Sequence, residues 1–156
     1  MTVKATGKLW TKAQAFFSVR HVKRTFEGPF FTLEYPGTWD HEIIEDIPAF
    51  YDRRGAGALQ VAAVRNSDQL FSLEQEMSRY LQRHGIEYDS SKVLFAKDGE
   101  KELATCEFVK EGRFWLVYMT SIGDRIVVAI YNADEVPGEE LASIISHILR
   151  SIRFRV

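Results

Sequence analysis

The residues closest to a known metal-binding motif lie in the segment WDHEIIEDIP, from Trp39 to Pro48. Its stretch His41-Glu42-Ile43-Ile44-Glu45 differs by one residue from H-E-x-x-H, in which two histidines one helical turn apart bind zinc. The segment is bounded by prolines, is too short for a stable helix, and carries an Ile-Ile pair that favours a strand. Positions four apart in a strand are separated by about 13 Å, too far to share a zinc ion whose ligand atoms lie about 2 Å away. We therefore predict a strand and no metal site.

Gly55-Ala56-Gly57 is a second candidate, because glycine-rich loops bind phosphate groups at the start of a helix. The segment lacks a third glycine and the Gly-Lys-Ser or Gly-Lys-Thr ending, and the following ALQVAAVR is typical of a strand. The two glycines therefore predict a hairpin. Arg53 and Arg54 before it are interpreted as solvated charges that could still receive an anion.

Carboxylates of the same region offer pairs for general acid–base catalysis, Glu42 with Asp46 or with Asp40. Carboxylates in acidic runs are mostly surface charges, and the sequence gives none of these pairs a reason for a shifted pKa. The single cysteine, Cys106, alternates with polar residues in a strand-like segment, so we predict a small core residue and not a nucleophile. The sequence thus predicts no catalytic residue, metal ligand or cofactor, and it favours a non-enzymatic protein without excluding an enzyme.

Charge is distributed unevenly along the first third of the chain. Residues 1–24 carry six Lys or Arg side chains and no acid, whereas residues 25–52 carry seven Asp or Glu side chains and no Lys or Arg. Within the basic part, one helical face is apolar: Leu9, Trp10, Ala13, Phe16 and Phe17. We predict that residues 1–25 are a basic amphipathic segment and that residues 26–156 form a single domain.

A basic amphipathic segment can bind an acidic protein, a membrane surface or nucleic acid, serve as a transit peptide, or pack on its own domain beside the acidic residues. Among the binding partners another protein is favoured, a second copy of this chain included. The predicted contacts are aromatic anchors and complementary charges: Trp10, Phe16, Phe17, Arg20, Lys23 and Arg24. The rival hypothesis is a small-molecule binding protein or hydrolase, with a pocket at the sheet edge formed by Tyr35, Trp39, Tyr51 and Arg53.

Length and composition fit one domain with its own core, since the chain has 156 residues, 46% of them apolar, and eleven Phe. The net charge of -2 and the pI near 6.1 give no global field that would hold polyanions. A single cysteine excludes an intramolecular disulfide and fits a reducing cytoplasm. Apolar runs are far shorter than the roughly 18 residues of a membrane-spanning helix, and the N-terminus lacks the apolar stretch of a signal peptide. We expect a cytoplasmic protein.

Turn signals recur between Lys92 and Asn132 at Asp98-Gly99, Glu111-Gly112 and Gly123-Asp124. The segments between them, VLFAK, ELATCEFVK, RFWLVYMTS and RIVVAIYN, are typical of strands and predict a four-stranded antiparallel meander. A capping box at Ser72-Leu73-Glu74-Gln75 and an apolar stripe in VPGEELASIISHILRSIRF predict two helices. With further strands in PFFTLEY, AFYDRR and ALQVAAVR, the fold class is α+β, an antiparallel sheet flanked by helices.

The order of these segments resembles the PsbP-like fold: FFTLEYPGTW, GAGALQVAAVR, a helix ending in HGI, a meander and a C-terminal helix, over residues 26–154. Its most recognisable piece is Tyr35-Pro36 with Trp39. The resemblance is to a fold shared by the photosystem II protein PsbP, a Ran-binding nuclear import factor and many small bacterial domains of unknown function. It implies an αβα sandwich and binding or assembly roles more often than catalysis, but no motif allows a functional residue to be transferred. We expect a protein-interaction or assembly module of bacterial origin.

Overall fold

The fold is built on two antiparallel sheets and two α-helices in the part of the chain that the computed structural model describes, residues 2–4, 22–55, 57–66, 68 and 70–155. The strands are β1 (Thr2–Lys4), β2 (Lys23–Glu27), β3 (Phe31–Pro36), β4 (Trp39–Ile44), β5 (Ile47–Asp52), β6 (Ala58–Arg65), β7 (Leu94–Asp98), β8 (Lys101–Lys110), β9 (Arg113–Ile122), β10 (Arg125–Ala133) and β11 (Arg153–Phe154). The helices are α1 (Leu73–Arg83) and α2 (Glu139–Arg150). The predicted α+β class is confirmed.

The larger sheet has the order β1-β8-β9-β10-β6-β5-β4, with β7 also paired to β8. Strands β7 to β10 follow one another in the chain, and each pairs antiparallel with the next. The turn between β8 and β9 has positive φ at Glu111 and Gly112, 52° and 76°, as a type I′ hairpin turn requires. Beyond β10 the order changes, because β10 pairs with β6 and so places β5 and β4 at the far edge.

The outer edge of β8 is shared by two short strands. β7 pairs with Lys101–Thr105, and β1 pairs with Glu107–Val109. Thr2–Lys4, which belongs to the predicted N-terminal segment, is therefore part of the larger sheet. The predicted division between residues 25 and 26 falls inside β2, which begins at Lys23.

The smaller sheet has the order β11-β3-β2. Along β3, buried residues alternate with half-buried ones, and Phe31, Leu33 and Tyr35 point into the core. The chain leaves β3 through Gly37, whose amide donates to the carbonyl oxygen of Val22 (2.7 Å), and it enters the larger sheet as β4. This short connection brings both sheets together beside β4.

The helices pack against opposite faces of the larger sheet. Alternate residues of β9 divide between the two cores: Phe114, Leu116 and Tyr118 join α2 and the smaller sheet, whereas Trp115, Val117 and Met119 join α1. Helix α1 begins after Ser72, whose side chain accepts a hydrogen bond from the Gln75 amide (3.4 Å). Neither helix in the described ranges has the length and apolar character to cross a bilayer.

Candidate functional site

The segment WDHEIIEDIP forms a hairpin at the edge of the larger sheet. Strands β4 and β5 pair as far as Ile44 opposite Ile47, and Glu45 and Asp46 form the turn. Both turn residues have positive φ, 51° and 66°. The left-handed conformation costs a non-glycine residue about 1–2 kcal/mol, which is why Asn-Gly is the usual sequence of such a turn. The predicted strand is therefore confirmed for residues 39–44, but its extension to residue 47 is wrong, because the acidic pair turns the chain.

His41, the histidine of the incomplete zinc motif, packs against aromatic side chains. Its Nδ1 is hydrogen-bonded to the Tyr35 hydroxyl group (2.9 Å), and its ring lies 5.5 Å from that of Phe26 and 5.9 Å from that of Phe50. Within the described residues, no three His, Cys, Asp or Glu side chains are grouped so that they could hold a metal ion. His41 thus has a packing and hydrogen-bonding role.

The tip of the hairpin exposes three large apolar side chains. Ile43, Ile44 and Ile47 are 61%, 50% and 37% exposed. Because side chains alternate along a strand, Ile44 and its partner Ile47 lie on one face and Ile43 lies on the other. Strand β5 pairs with β6 at Ala49 and Phe50, so the tip lies beyond this paired stretch.

The hairpin also has an open backbone edge. Strand β4 is the last strand of the larger sheet, and no strand of the described residues pairs with its outer side. An open edge offers backbone N–H and C=O groups to an incoming extended chain. Glu42, Glu45 and Asp46 flank the exposed isoleucines, and Glu42 accepts a hydrogen bond from the Tyr51 hydroxyl group (2.8 Å). The tip therefore combines apolar surface, negative charge and an open edge.

A small pocket lies where β3, β4 and α2 meet. Its volume is about 110 Å³, and its lining includes the buried rings of Tyr35 and Trp39. The other lining residues are Lys23, Pro36, Thr38, Asp52, Arg54, Glu140, Ile144, His147 and Ile148. The pocket thus has aromatic and aliphatic walls with charged groups between them.

Most charged groups near this pocket are paired. Lys23 lies 3.4 Å from Glu34, and Arg54 lies 3.4 Å from Asp52. The Arg54 amide also donates to Asp52 (3.0 Å), and this hydrogen bond lowers the pKa of the Asp52 carboxyl. Burial and then the charge of Lys23 lower the pKa of His147, although Glu34 lies 3.8 Å from its Nε2. His147 is therefore mostly neutral at pH 7.

The structure brings two of the four predicted ligand residues together. Tyr35 and Trp39 line the pocket, but Tyr51 and Arg53 do not. Tyr51 donates to Glu42, and Arg53 forms an ion pair with an aspartate of β4 (2.7 Å). In the hairpin, Trp39 and Tyr51 belong to neighbouring cross-strand pairs. Because the side chains of neighbouring pairs point to opposite faces of a sheet, these two aromatic residues lie on opposite faces.

Of the predicted partner-binding residues, the structure describes Lys23 and Arg24. Arg24 donates from Nη1 to the carbonyl oxygen of Trp39 (3.3 Å), and its guanidinium lies 5.4 Å from the centre of the Tyr35 ring. Lys23 contributes to the pocket lining and pairs with Glu34. Both cations therefore contact their own domain. The remaining predicted contacts lie outside the described residues: Trp10, Phe16, Phe17 and Arg20.

Sequence reasoning missed the exposed isoleucines and the pocket role of His147. β-Branched residues predict a strand whether they are buried or exposed, so only the acidic residues around Ile43, Ile44 and Ile47 gave a signal. His147 lies on α2, and the packing of that helix against β3 makes it half-buried. Neither feature can be found without knowing which elements pack together.

Cys106 has the surroundings of a core residue. Its side chain is buried under α1, and burial, followed by the charge of Glu107, raises its pKa to about 11. A nucleophilic cysteine needs a lowered pKa and access to solvent. Cys106 therefore has neither property of a catalytic thiol.

Comparisons with known proteins concern the fold. No family model matches the sequence, and no curated protein is similar to it. CyanoP, the cyanobacterial PsbP of Synechocystis sp. PCC 6803, matches the structure with a TM-score of 0.65 at 12% identity, over 89% of this chain and 97% of its own. A protein of Bacteroides thetaiotaomicron VPI-5482 matches with a TM-score of 0.60 at 17% identity over 85% of this chain, which spans 48% of that protein's length.

Proposed function

We propose that this chain, which has a PsbP-like fold, is a non-enzymatic protein-interaction module that binds its partner with the tip and outer edge of the β4–β5 hairpin. The observation that carries the proposal is the exposure of Ile43, Ile44 and Ile47 beside a strand edge with which no strand of the described residues pairs. Covering this apolar surface would contribute about 2–4 kcal/mol to binding before the costs of association. Backbone hydrogen bonds along β4 would add to this.

The charges around the hairpin indicate the chemistry of the partner. Glu42, Glu45 and Asp46 surround the isoleucines, and residues 25–52 contain no Lys or Arg. An incoming strand in which apolar residues alternate with Lys or Arg could pair with β4, bury its apolar side chains and meet opposite charge. A strand rich in Asp or Glu would be repelled. The proposed occupant is therefore a basic, extended segment of another protein.

A designed peptide tests this proposal directly. A short peptide of alternating Lys and Ile should shift the backbone amide resonances of β4 in ¹⁵N spectra, whereas its Glu and Ile counterpart should not. The variant I43S/I44S should weaken binding by at least about tenfold, since it removes the exposed isoleucine of β4 on whichever face the isoleucines of the peptide occupy. V64S is the matched control, because Val64 is 53% exposed on β6. Equal binding of both peptides, or of I43S/I44S and V64S, would overturn the proposal.

The same variants identify the occupant if it is a second copy of this chain. Analytical ultracentrifugation would then show self-association without peptide, and I43S/I44S would abolish it while V64S would not. Both variants should stay folded, since exposed side chains contribute little to stability. Self-association that survives in I43S/I44S would remove this hairpin from the dimer interface.

Small-molecule binding is a second candidate function, supported by the pocket of about 110 Å³ beside Tyr35 and Trp39. The indole N–H resonance of Trp39 is a natural reporter for a screen of small amines, carboxylates and neutral heterocycles. I144W should fill the pocket and abolish any shift that reports binding there. A screen in which no compound moves the Trp39 resonance would end this hypothesis.

A further inference from the structure

Basic side chains converge at the C-terminal end of α2, outside the β4–β5 hairpin. Arg153 donates from Nη1 to the carbonyl oxygens of Arg150 (2.6 Å) and Ile152 (3.0 Å). Lys101, at the start of β8, donates from Nζ to the same Ile152 oxygen (3.4 Å). Two side-chain cations therefore share one neutral acceptor. Their mutual repulsion is an electrostatic cost that a bound anion would relieve.

The positive charge at this place exceeds what the helix end can balance. The C-terminus of a helix carries about half an elementary negative charge, whereas Lys101 and Arg153 are each cationic. Among the described residues, neither Lys101 nor Arg153 forms an ion pair with a carboxylate, and Asp98 acts on Lys101 only at longer range. Burial and then the charge of Arg153 lower the pKa of Lys101. The cluster keeps a net positive potential.

An open cleft of about 400 Å³ adjoins this cluster, beside β2 and β3. Arg150 and Arg153 line it, together with the hydroxyl-bearing side chains of Thr25 and Thr32. Arg153 lies directly opposite Thr32 in the pairing of β11 with β3, so the side chains that carry the guanidinium and the hydroxyl group are cross-strand neighbours. Charged and neutral hydrogen-bond donors are thus available to one ligand.

We infer that this cleft binds a small phosphate monoester, whose phosphate group is held by Arg150, Arg153 and the threonine hydroxyl groups. The planar guanidinium matches pairs of phosphate oxygens and is the side chain suited to bidentate oxyanion recognition. Lys101 adds positive potential without lining the cleft. The volume exceeds that of a phosphate group and leaves room for an organic substituent.

Glu34 disfavours a second negative charge on the ligand, away from its phosphate group. It lines the same cleft and forms an ion pair with Lys23 (3.4 Å), so its charge is partly compensated. A second anionic group placed near Glu34 would still meet a carboxylate. The site therefore fits one terminal phosphate better than a polyanion such as nucleic acid, and it is independent of the protein-binding hairpin.

Calorimetric titration with inorganic phosphate and with phenyl phosphate, at constant ionic strength, tests the inference. R153Q should weaken the binding of both probes by at least about tenfold, because it removes a charge-assisted hydrogen-bond donor. R153K keeps the charge and loses the planar fork, so its affinity should fall between those of the native chain and R153Q. R83Q is the matched control, since it removes the same charge from α1.

A third probe, phosphatidylcholine vesicles that contain phosphatidic acid, distinguishes a soluble phosphate ester from a lipid headgroup as the ligand. Binding of the free phosphates assigns the site to a soluble ester, whereas vesicle binding alone that is lost in R153Q assigns the phosphate to a lipid headgroup. K101Q gives an independent variant on another strand and should weaken binding less than R153Q. The inference is overturned if folded protein binds none of the probes, or if R83Q weakens binding as much as R153Q.

Discussion

Replacing Gly57 by alanine is expected to destabilise the protein, although the same change at Gly55 should be tolerated. A Cβ atom at Gly57 would lie 2.5 Å from Cζ and 2.8 Å from Cε2 of Tyr131, and closer still to its hydroxyl oxygen. Tyr131 is 2% exposed, and its ring lies 6.3 Å from that of Phe114, so it has little room to move. A Cβ at Gly55 would meet the carbonyl oxygen of Asp52 at 3.6 Å, an ordinary contact.

The expected magnitude follows from this difference in contacts. Overpacking of a buried ring costs about 2 kcal/mol of unfolding free energy, which corresponds to a fall in Tm of roughly 4–8 °C for a chain of this size. Neither glycine has a positive φ, so the backbone accepts alanine at both positions. G55A should therefore leave stability unchanged or raise it by up to about 1 kcal/mol, because alanine restricts the unfolded chain.

Urea unfolding of the two variants, followed by circular dichroism, measures the effect. The comparison decides why the loop carries glycine, since Gly55-Ala56-Gly57 resembles a phosphate-binding loop in composition. If G57A is as stable as G55A, the close approach of Tyr131 does not explain Gly57. The loop would then have to be tested as a ligand-binding segment.

Three further predictions follow. E45N/D46G should raise the free energy of unfolding by about 1 kcal/mol in chemical denaturation, because Asn and Gly adopt left-handed conformations more readily. The same variant should weaken binding of the Lys-Ile peptide. An unchanged stability would refute the strain assigned to this turn. The pKa of His147 is lowered in the folded state, so His147 binds protons more readily when the chain is unfolded. Stability should therefore fall as the pH drops below about 6.5, and H147Q should reduce this dependence of stability on pH. An identical pH dependence in both proteins would contradict the prediction. Cys106, with a pKa of about 11, should react with a thiol reagent at pH 8 at least about a hundredfold more slowly in the native protein than in urea. Rapid labelling of the native protein would show instead that the thiol is accessible.

Much of the fold could be predicted because its signals are local. Turn residues such as Glu111 and Gly112 specify hairpins, alternating β-branched and aromatic residues specify strands, and the Ser72 cap marks the start of α1. The α+β class follows from the order of these elements. Each signal depends on residues a few positions apart, so a single sequence contains it.

The candidate sites depend on contacts between distant parts of the chain. The pocket forms because β3, β4 and α2 meet, and the proposed phosphate cleft forms because β11 pairs with β3, which places Arg153 opposite Thr32. No local pattern states which strands will pair across more than a hundred residues. This is why the sequence placed Tyr35 and Trp39 with Tyr51 and Arg53, although only Tyr35 and Trp39 line the pocket.

By itself, the sequence determined both helices, the class of the fold, the core position of Cys106 and the acidic character of residues 25–52. Tertiary structure alone decided that β4 is an edge strand among the described strands and that Ile43, Ile44 and Ile47 remain exposed at the tip of the β4–β5 hairpin. An isoleucine has the same local preference for a strand whether or not another element covers it. Exposure is set by long-range packing, and the surfaces available for binding are therefore a property of the assembled fold.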